Sequence, residues 1–155
     1  MTALRLRPAT AADSERLWRW RNDAETRRAS FSDLEVPRAD HERWLADTLG
    51  RTDRRLYVAL IDDTEVGTAR LDIDGVAADV NVTVAPECRG RGVATALLRA
   101  LVDVAFADTT VTRLVARVKA SNPASRAAFE RAGFRVTTDG EVTTLVRDRA
   151  RMAVS

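Results

Sequence analysis

Residues 80 to 98 read VNVTVAPECRGRGVATALL, and the rest of the chain is organised around them. Val80, Val82 and Val84 alternate as one face of a short strand, Pro86 breaks it, and Arg89-Gly90-Arg91-Gly92 turns the chain into an amphipathic run. A helix entered through such glycines leaves its first backbone N–H groups without internal acceptors, pointing one way and backed by the positive end of the helix dipole. Glycine suits the turn because the backbone can take conformations closed to residues with a Cβ, and because no side chain then fills the space an anion needs. The stretch predicts a strand, an anion cradle and a helix in direct succession.

Spacing separates three uses of that arrangement. A phosphate-binding loop requires G-x-x-x-x-G-K-[ST], and no glycine of this chain is followed by lysine. A dinucleotide fingerprint counted from Gly90 meets Thr95 where Gly or Ala belongs, with no acidic residue after a second strand at the expected distance. What remains is [QR]-x-x-G-x-[GA], met by Arg89, Gly92 and Ala94 after a strand ending in Val84-Ala85-Pro86-Glu87. This resembles the coenzyme A pyrophosphate loop of the GNAT superfamily of acetyltransferases. A second strand at Val111 to Val118 follows. Asn122-Pro123-Ala124-Ser125 through Phe129-Glu130-Arg131-Ala132-Gly133-Phe134 then resembles the superfamily's next helix with its closing Gly-Phe, so the likeness covers residues 66 to 136.

A chain of 155 residues can bury the core of one domain unaided. Its 45% hydrophobic and 31% charged residues are the balance of an ordinary globular protein. No apolar run approaches the roughly 20 residues of a membrane span, and the opening MTALRLRP lacks the apolar stretch of a secretory signal, so a cytoplasmic protein without membrane partners is expected. The 25 basic and 23 acidic residues are interspersed, which leaves no basic stripe for nucleic acid. Cys88 is the single cysteine and His41 the single histidine, so neither an internal disulfide nor a Cys/His zinc set can form, and no metal is expected. Monomer and homodimer both remain open.

Ahead of the loop, Leu4 to Arg7 alternates apolar and basic residues before Pro8 and predicts a first strand. Thr10 or Asp13 then caps a helix that carries Leu17, Trp18 and Trp20 and ends near Asn22. Two residues apart, the tryptophans cannot share a helix face, so one belongs to the core and the other is free to line a cleft. After a short helical piece from Asp23 to Ser30, Pro37 starts a helix through His41, Trp44, Leu45 and Leu49, closed by Gly50. His41 and Trp44 share a face of it and either pack against the sheet or face an acceptor substrate. Leu56 to Ile61 is a strand covered on both sides, and Asp62-Asp63-Thr64-Glu65 is a hairpin turn. Val66 to Ile73 returns with Ala69, Leu71 and Ile73 alternating against Arg70, Asp72 and Asp74. The strands up to this point form an antiparallel meander.

Beyond the loop, Val93, Ala94, Leu97, Leu98, Leu101, Val102 and Ala105 recur at helical spacing and cover one face of the sheet. The strand from Val111 must run parallel to that from Val80, because a helix intervenes. Asn122 caps the last helix, with Pro123 at its first position and Gly133 at its end. Val136 to Thr138 and Val142 to Val146 close the chain about Asp139-Gly140, and the tail from about 148 is expected to fray.

The resemblance implies a single α/β (α+β) domain over residues 1–155, with a mixed, mostly antiparallel central sheet and helices on both faces. A bulge in the Val80 strand splays its parallel pair. Acetyl-CoA would lie in the splay as co-substrate, against Val82 and Val84, with Arg89, Gly90, Arg91, Gly92, Val93 and Ala94 around the pyrophosphate and Asn122, Ser125 and Phe129 toward the sulfur. An amine must be neutral to attack. Many members carry Glu where this chain has Asp79, which makes Asp79 the expected base, with Asp72 and Asp74 as alternatives and a solvated strand residue as the plain reading of each. The Val84 amide would stabilise the oxyanion. Where the family often places a tyrosine as acid this chain has Phe129, which leaves Ser125, water or no acid for the thiolate.

Trp20-Arg21-Asn22-Asp23 with His41-x-x-Trp44 is similar to GNAT enzymes that acetylate amino sugars on nucleotide carriers in the pseudaminic acid pathway. That likeness makes Trp20, Arg21, Asn22, His41 and Trp44 the expected acceptor contacts. The region from Asn122 to Ser125 is similar to ribosomal-protein N-acetyltransferases as well. The activity implied is acetyl transfer from acetyl-CoA to a primary amine of a small molecule, for instance an amino sugar nucleotide, by direct attack in a ternary complex. A protein N-terminal acetyltransferase and a coenzyme A binding module without catalysis are the alternatives.

Overall fold

The computed structural model describes residues 3–150. Strands β1 (Arg5–Pro8), β2 (Arg54–Ile61), β3 (Thr64–Asp74) and β4 (Ala77–Val84) form the expected antiparallel meander. Asp62 and Asp63 carry β2 into β3 at φ 50° and 64°, the left-handed pair that a two-residue hairpin turn of type I′ requires. The turn is tighter than the four residues expected from sequence, and Thr64 and Glu65 already pair with Ile61 and Leu60.

Between β1 and β2 the chain forms α1 (Ser14–Asn22), α2 (Ala24–Ala29) and α3 (Arg38–Leu49). Asp13, buried at the start of α1, takes both Arg7 guanidinium nitrogens at 2.9 and 2.7 Å and the Thr10 amide at 2.8 Å, which fixes the helix to β1. After β4, α4 (Val93–Asp108) returns the chain to β5 (Arg113–Lys119), parallel to β4. Leu97, Leu98 and Leu101 of α4 are fully buried in one core with Ala69, Leu71 and Leu114 of the sheet; each such leucine stabilises by about 1.5–3 kcal/mol through burial. α5 (Pro123–Arg131) precedes β6 (Arg135–Thr138) and β7 (Val142–Asp148), and β7 takes the place beside β5, so the sheet order is β1-β2-β3-β4-β5-β7-β6.

One feature of this sheet makes the site. β4 pairs with β5 over Ala77, Ala78 and Asp79 alone, whereas β4 stays on β3 through Val84 and β5 stays on β7 through Lys119. From Val80 onward the two parallel strands part, each held by its outer neighbour. The expected bulge in β4 is not what parts them: its register against β3 is unbroken from Ala77 to Val84, and the irregularities among the described strands lie between Ala59 and Leu60 of β2, opposite Val66 of β3, and between Val136 and Thr138 of β6. An outer partner satisfies one edge of each strand, so parting needs no extra residue.

The tail expected to fray from about 148 begins where β7 ends. The Asp148 carboxylate holds Arg113 at 2.7 Å and Arg135 at 3.2 Å, and the Arg149 amide donates to the Thr112 carbonyl at 2.8 Å. The remainder of that tail, 151–155, lies outside the described residues.

Gly67 lets β3 and β4 approach beside the parting. A Cβ there would lie 2.4 Å from the Thr83 carbonyl oxygen and 2.9 Å from Leu97 Cδ1. Gly67→Ala is expected to cost about 2–3 kcal/mol of stability, read as a lower urea midpoint at unchanged slope. An unchanged midpoint would show that β4 shifts freely on β3.

Candidate active site

β4 ends in a short 3-10 turn over Pro86–Cys88 and then the glycine loop. Gly90 and Gly92 stand at φ 76° and 75°, and Gly92 is the N-cap of α4, which no side chain caps. These left-handed angles explain both glycines. An added Cβ at either would meet nothing within 4 Å, so the space above the loop is open. Among the described residues no acceptor takes the amides of Gly90, Arg91, Gly92, Val93 or Ala94. A run of free donors at the positive end of a 16-residue helix is an anion site.

The neighbouring strand edge is equally free. The Ala85 amide donates to the Val66 carbonyl at 2.8 Å, which makes the Gly67–Val84 pair a non-hydrogen-bonded one in the antiparallel ladder. The N–H and C=O of Val84 therefore point away from β3. By the two-residue alternation so do those of Val82 and Val80, straight into the gap that β5 has left.

Loop and gap open into a single cleft of about 1220 Å³. Val82 and Val84 of β4, Gly90, Gly92, Val93 and Ala94 of the loop and α4, Asn122, Ser125 and Phe129 about α5, and Trp20, Arg21, His41 and Trp44 of α1 and α3 all line it. Asn122 caps α5 by accepting the Ser125 amide at 3.2 Å. Phe129 is buried edge-on against Phe134, 5.1 Å between centroids. Of the two tryptophans, Trp20 is buried in the core while also reaching the cleft, and Trp18 is half-buried and donates to the Val36 carbonyl at 2.8 Å.

Three expected site residues are placed differently. The Arg89 side chain turns into the N-terminus of α2, pairing with Asp23 and reaching Thr26 Oγ1 and Glu25 Oε2, each at 2.8 Å. That guanidinium holds the Asp23 carboxyl below its usual range. Asn22 has both ends of its amide on Val36, donating to the carbonyl at 2.9 Å and accepting the N–H at 2.7 Å, so it pins the approach to α3. Asp79 is exposed and ion-paired to Arg117 at 2.8 Å. With Asn81 and Thr83 it lies on one side of β4, the side opposite Val80, Val82 and Val84. Asp72, across from it on β3, pairs with Arg54 at 2.8 Å and Arg70 at 3.3 Å. Among the described residues that line the cleft, none is Asp79, Asp72 or Asp74.

Within the cleft His41 is 4% exposed, its ring 5.5 Å from that of Trp44, and its Nδ1 finds no partner among the described residues. Burial and the Arg21 charge hold this imidazole below its usual pKa. Arg70 joins it from β3, lying over the Trp44 ring at 5.4 Å. Sequence reasoning treated Arg70 as the polar alternate of a half-buried strand. The sign that it reaches the cleft is the inner place of β3, paired on both edges between β2 and β4.

A family model described as the acetyltransferase (GNAT) domain matches residues 3–135. An uncharacterized N-acetyltransferase of Methanocaldococcus jannaschii is 36% identical over 80 residues, 51% of this chain and 51% of the relative. The chain thus matches about half the length of that curated relative. Among solved structures, a spermidine N-acetyltransferase from Vibrio cholerae in complex with CoA and spermine superposes with a TM-score of 0.87, at 19% identity over 94% of this chain and 95% of that one. The aminoglycoside acetyltransferase AAC(6')-Ib in complex with coenzyme A and kanamycin gives 0.81, at 22% identity over 95% of both chains. At such identities what is shared is the fold.

Arg89 is the link from the loop to α2, through charges that are a quarter or more exposed. Arg89→Met is expected to cost no more than about 1 kcal/mol of global stability while loosening α2. Trypsin should then cut after Arg27 or Arg28 several-fold faster than in the parent protein, and equal cleavage rates would show that α2 is held by other contacts.

Proposed function

The chain belongs to the GNAT acetyltransferase family, and on that premise we propose that it is an N-acetyltransferase joining acetyl-CoA and a small-molecule amine in one ternary complex. A single observation carries the reading: the unclaimed amides of Gly90 to Ala94 and the unpaired edge of Val82 and Val84 open into the same cleft. The loop amides take the pyrophosphate of the cofactor. The pantetheine amides complete the free edge of β4 at Val82, as a strand of the sheet would. This delivers the thioester carbonyl to Val84, whose N–H faces the gap and stabilises the oxyanion as the amine adds.

The new N–C bond forms as the C–S bond breaks, and the coenzyme leaves as thiolate. Phe129 supplies no proton, and a thiol of pKa about 8.5 is a good enough leaving group to depart beside Ser125 and water alone. Asp79 accepts the amine proton through water from the polar side of β4, its carboxylate steered by Arg117. Cys88, buried at the cleft wall, has no base beside it and takes no acetyl group. For the acceptor, Trp20, Arg21, His41 and Trp44 gather at one end of the cleft, as the likeness to enzymes of amino sugar nucleotides implies. A protein N-terminus fits less well, because the cleft offers its ammonium no unpaired carboxylate among the described residues.

Two outcomes test this. Gly92→Glu places a carboxylate in the cradle, so the thermal shift produced by acetyl-CoA should vanish, with affinity down about 100-fold or more. The left-handed site costs only about 1–2 kcal/mol, so the variant stays folded; retained affinity would remove the cofactor assignment. Initial rates of thiol release across both substrates should give intersecting lines, with Cys88→Ala within about threefold of the parent. Parallel lines, or a loss beyond 100-fold in folded Cys88→Ala, would establish an acetyl-cysteine instead, and no thiol release with any amine would leave a binding module.

A further inference from the structure

The acceptor end of the cleft holds more positive charge than the cofactor grip uses. Arg21 of α1 places Nη2 on the Ser32 carbonyl at 3.2 Å and keeps Nη1 buried, with no acceptor among the described residues. His41 of α3 presents a buried Nδ1 in the same condition. Arg70 is spread over the Trp44 ring, and its carboxylate partner Asp72 is shared with Arg54. Burial holds all three below their usual pKa values, and neighbouring cations add to it: Arg21 at His41, Arg54 and then Arg21 at Arg70, and Arg27 at Arg21.

Asp72, shared between Arg70 and Arg54, is the carboxylate paired with this cluster, and no carboxylate lining the cleft is free to answer the rest of its charge. Among the described residues the carboxylates lining the cleft are Glu25 and Asp40; Glu25 is committed to Arg89 at 2.8 Å and Asp40 to Arg43. Buried donors without acceptors cost free energy, and mutually repelling cations add to it, unless a ligand supplies negative oxygens. The guanidinium fork is the group best shaped to receive them in pairs.

We propose that Arg21, His41 and Arg70 form a subsite for an oxyanion, so that the amine acetylated here carries a phosphate or a carboxylate. The reaction in that statement rests on the acetyl-transfer reading; the anion rests on these three side chains. The subsite rejects polycations. An amine such as spermine would bring further positive charge against two arginines with nothing to pair with.

The test compares glucosamine 6-phosphate, 6-aminohexanoate, glucosamine and spermidine as acceptors at saturating acetyl-CoA. One or both anionic amines should exceed glucosamine in kcat/KM by at least about tenfold, with spermidine last, and the better of the two identifies phosphate or carboxylate as the preferred group. Arg21→Gln should bring the ratio of anionic to neutral acceptor toward one through KM, with the acetyl-CoA thermal shift retained. A second readout needs no turnover: inorganic phosphate should quench tryptophan fluorescence in Gly92→Glu, whose loop is blocked, and should do so at least tenfold more weakly in the double variant with Arg21→Gln. Spermidine as the best acceptor, equal use of all four, or quenching indifferent to Arg21 would overturn the subsite. No acetyl-CoA binding by the parent protein, with quenching intact, would overturn the acetyl-transfer reading and leave the subsite standing.

Discussion

The parting of β4 from β5 after Asp79 is the constraint from which the site follows. A parallel pair that separates leaves main-chain donors and acceptors along both inner edges, a condition a protein interior tolerates only where something else satisfies them. Here the outer neighbours β3 and β7 keep each strand straight, and the phase of the β3–β4 ladder turns Val82 and Val84 toward the opening. The strand so exposed ends at the loop whose amides are also unclaimed. Because recognition is made by main chain, it asks little of side-chain identity. A fold shared at a TM-score of 0.87 with only 19% identity is what such a scaffold permits.

Arg89 changes how loop and acceptor wall relate. Its position in the glycine motif implies a place beside a pyrophosphate, and its backbone keeps that place, but its guanidinium reaches Asp23, Glu25 and Thr26 at the start of α2. The wall that carries Arg21 and the segment leading to α3 is thereby tied to the loop. Asn22 and Trp18 continue the tie by fixing Val36 at the entry to α3. Ordering one side of the cleft therefore favours ordering of the other, a modest linkage given that the Arg89 side chain is 29% exposed.

Most of the scaffold was legible in sequence because it is set locally. Glycine spacing at the loop, Asn-Pro at the head of α5, Pro37 and Gly50 about α3, and the seven-residue apolar stripe of α4 each specify an element without reference to the rest of the chain. The bulge was not legible, nor the end of β7, because both depend on pairing across the sheet. Asp148 is held by the β5 ladder and by Arg113 and Arg135, partners across the sheet that no local pattern reveals. At the cleft, the glycine loop and the aromatic and basic residues expected from α1 and α3 line one cavity. Asn22 and Arg89 look identical in sequence whether they face a ligand or hold two segments together, and the structure gives their polar atoms to the second task. Arg70 was overlooked because strand alternation separates two sides of a strand without saying what covers either.

The same cationic end bears on how the nucleophile is prepared. An amine is mostly ammonium at neutral pH and cannot attack until it loses a proton, yet the carboxylates along this cleft are already paired, and Asp79 stands outside its lining. Two partly desolvated arginines supply part of the need by field alone, since neighbouring positive charge disfavours the charged form of an amine. Burial, with Arg21 adding to it, already holds His41 and Arg70 below their usual pKa values. An acceptor anchored by its own anion would satisfy one arginine and bring its amine under the field of the other, arriving closer to the neutral state. On the proposed mechanism Asp79 would then receive a proton already loosened, through water from the vertex of the splay. Binding selectivity and nucleophile activation thus draw on one charge imbalance, which would account for an acceptor site that keeps its arginines unneutralised.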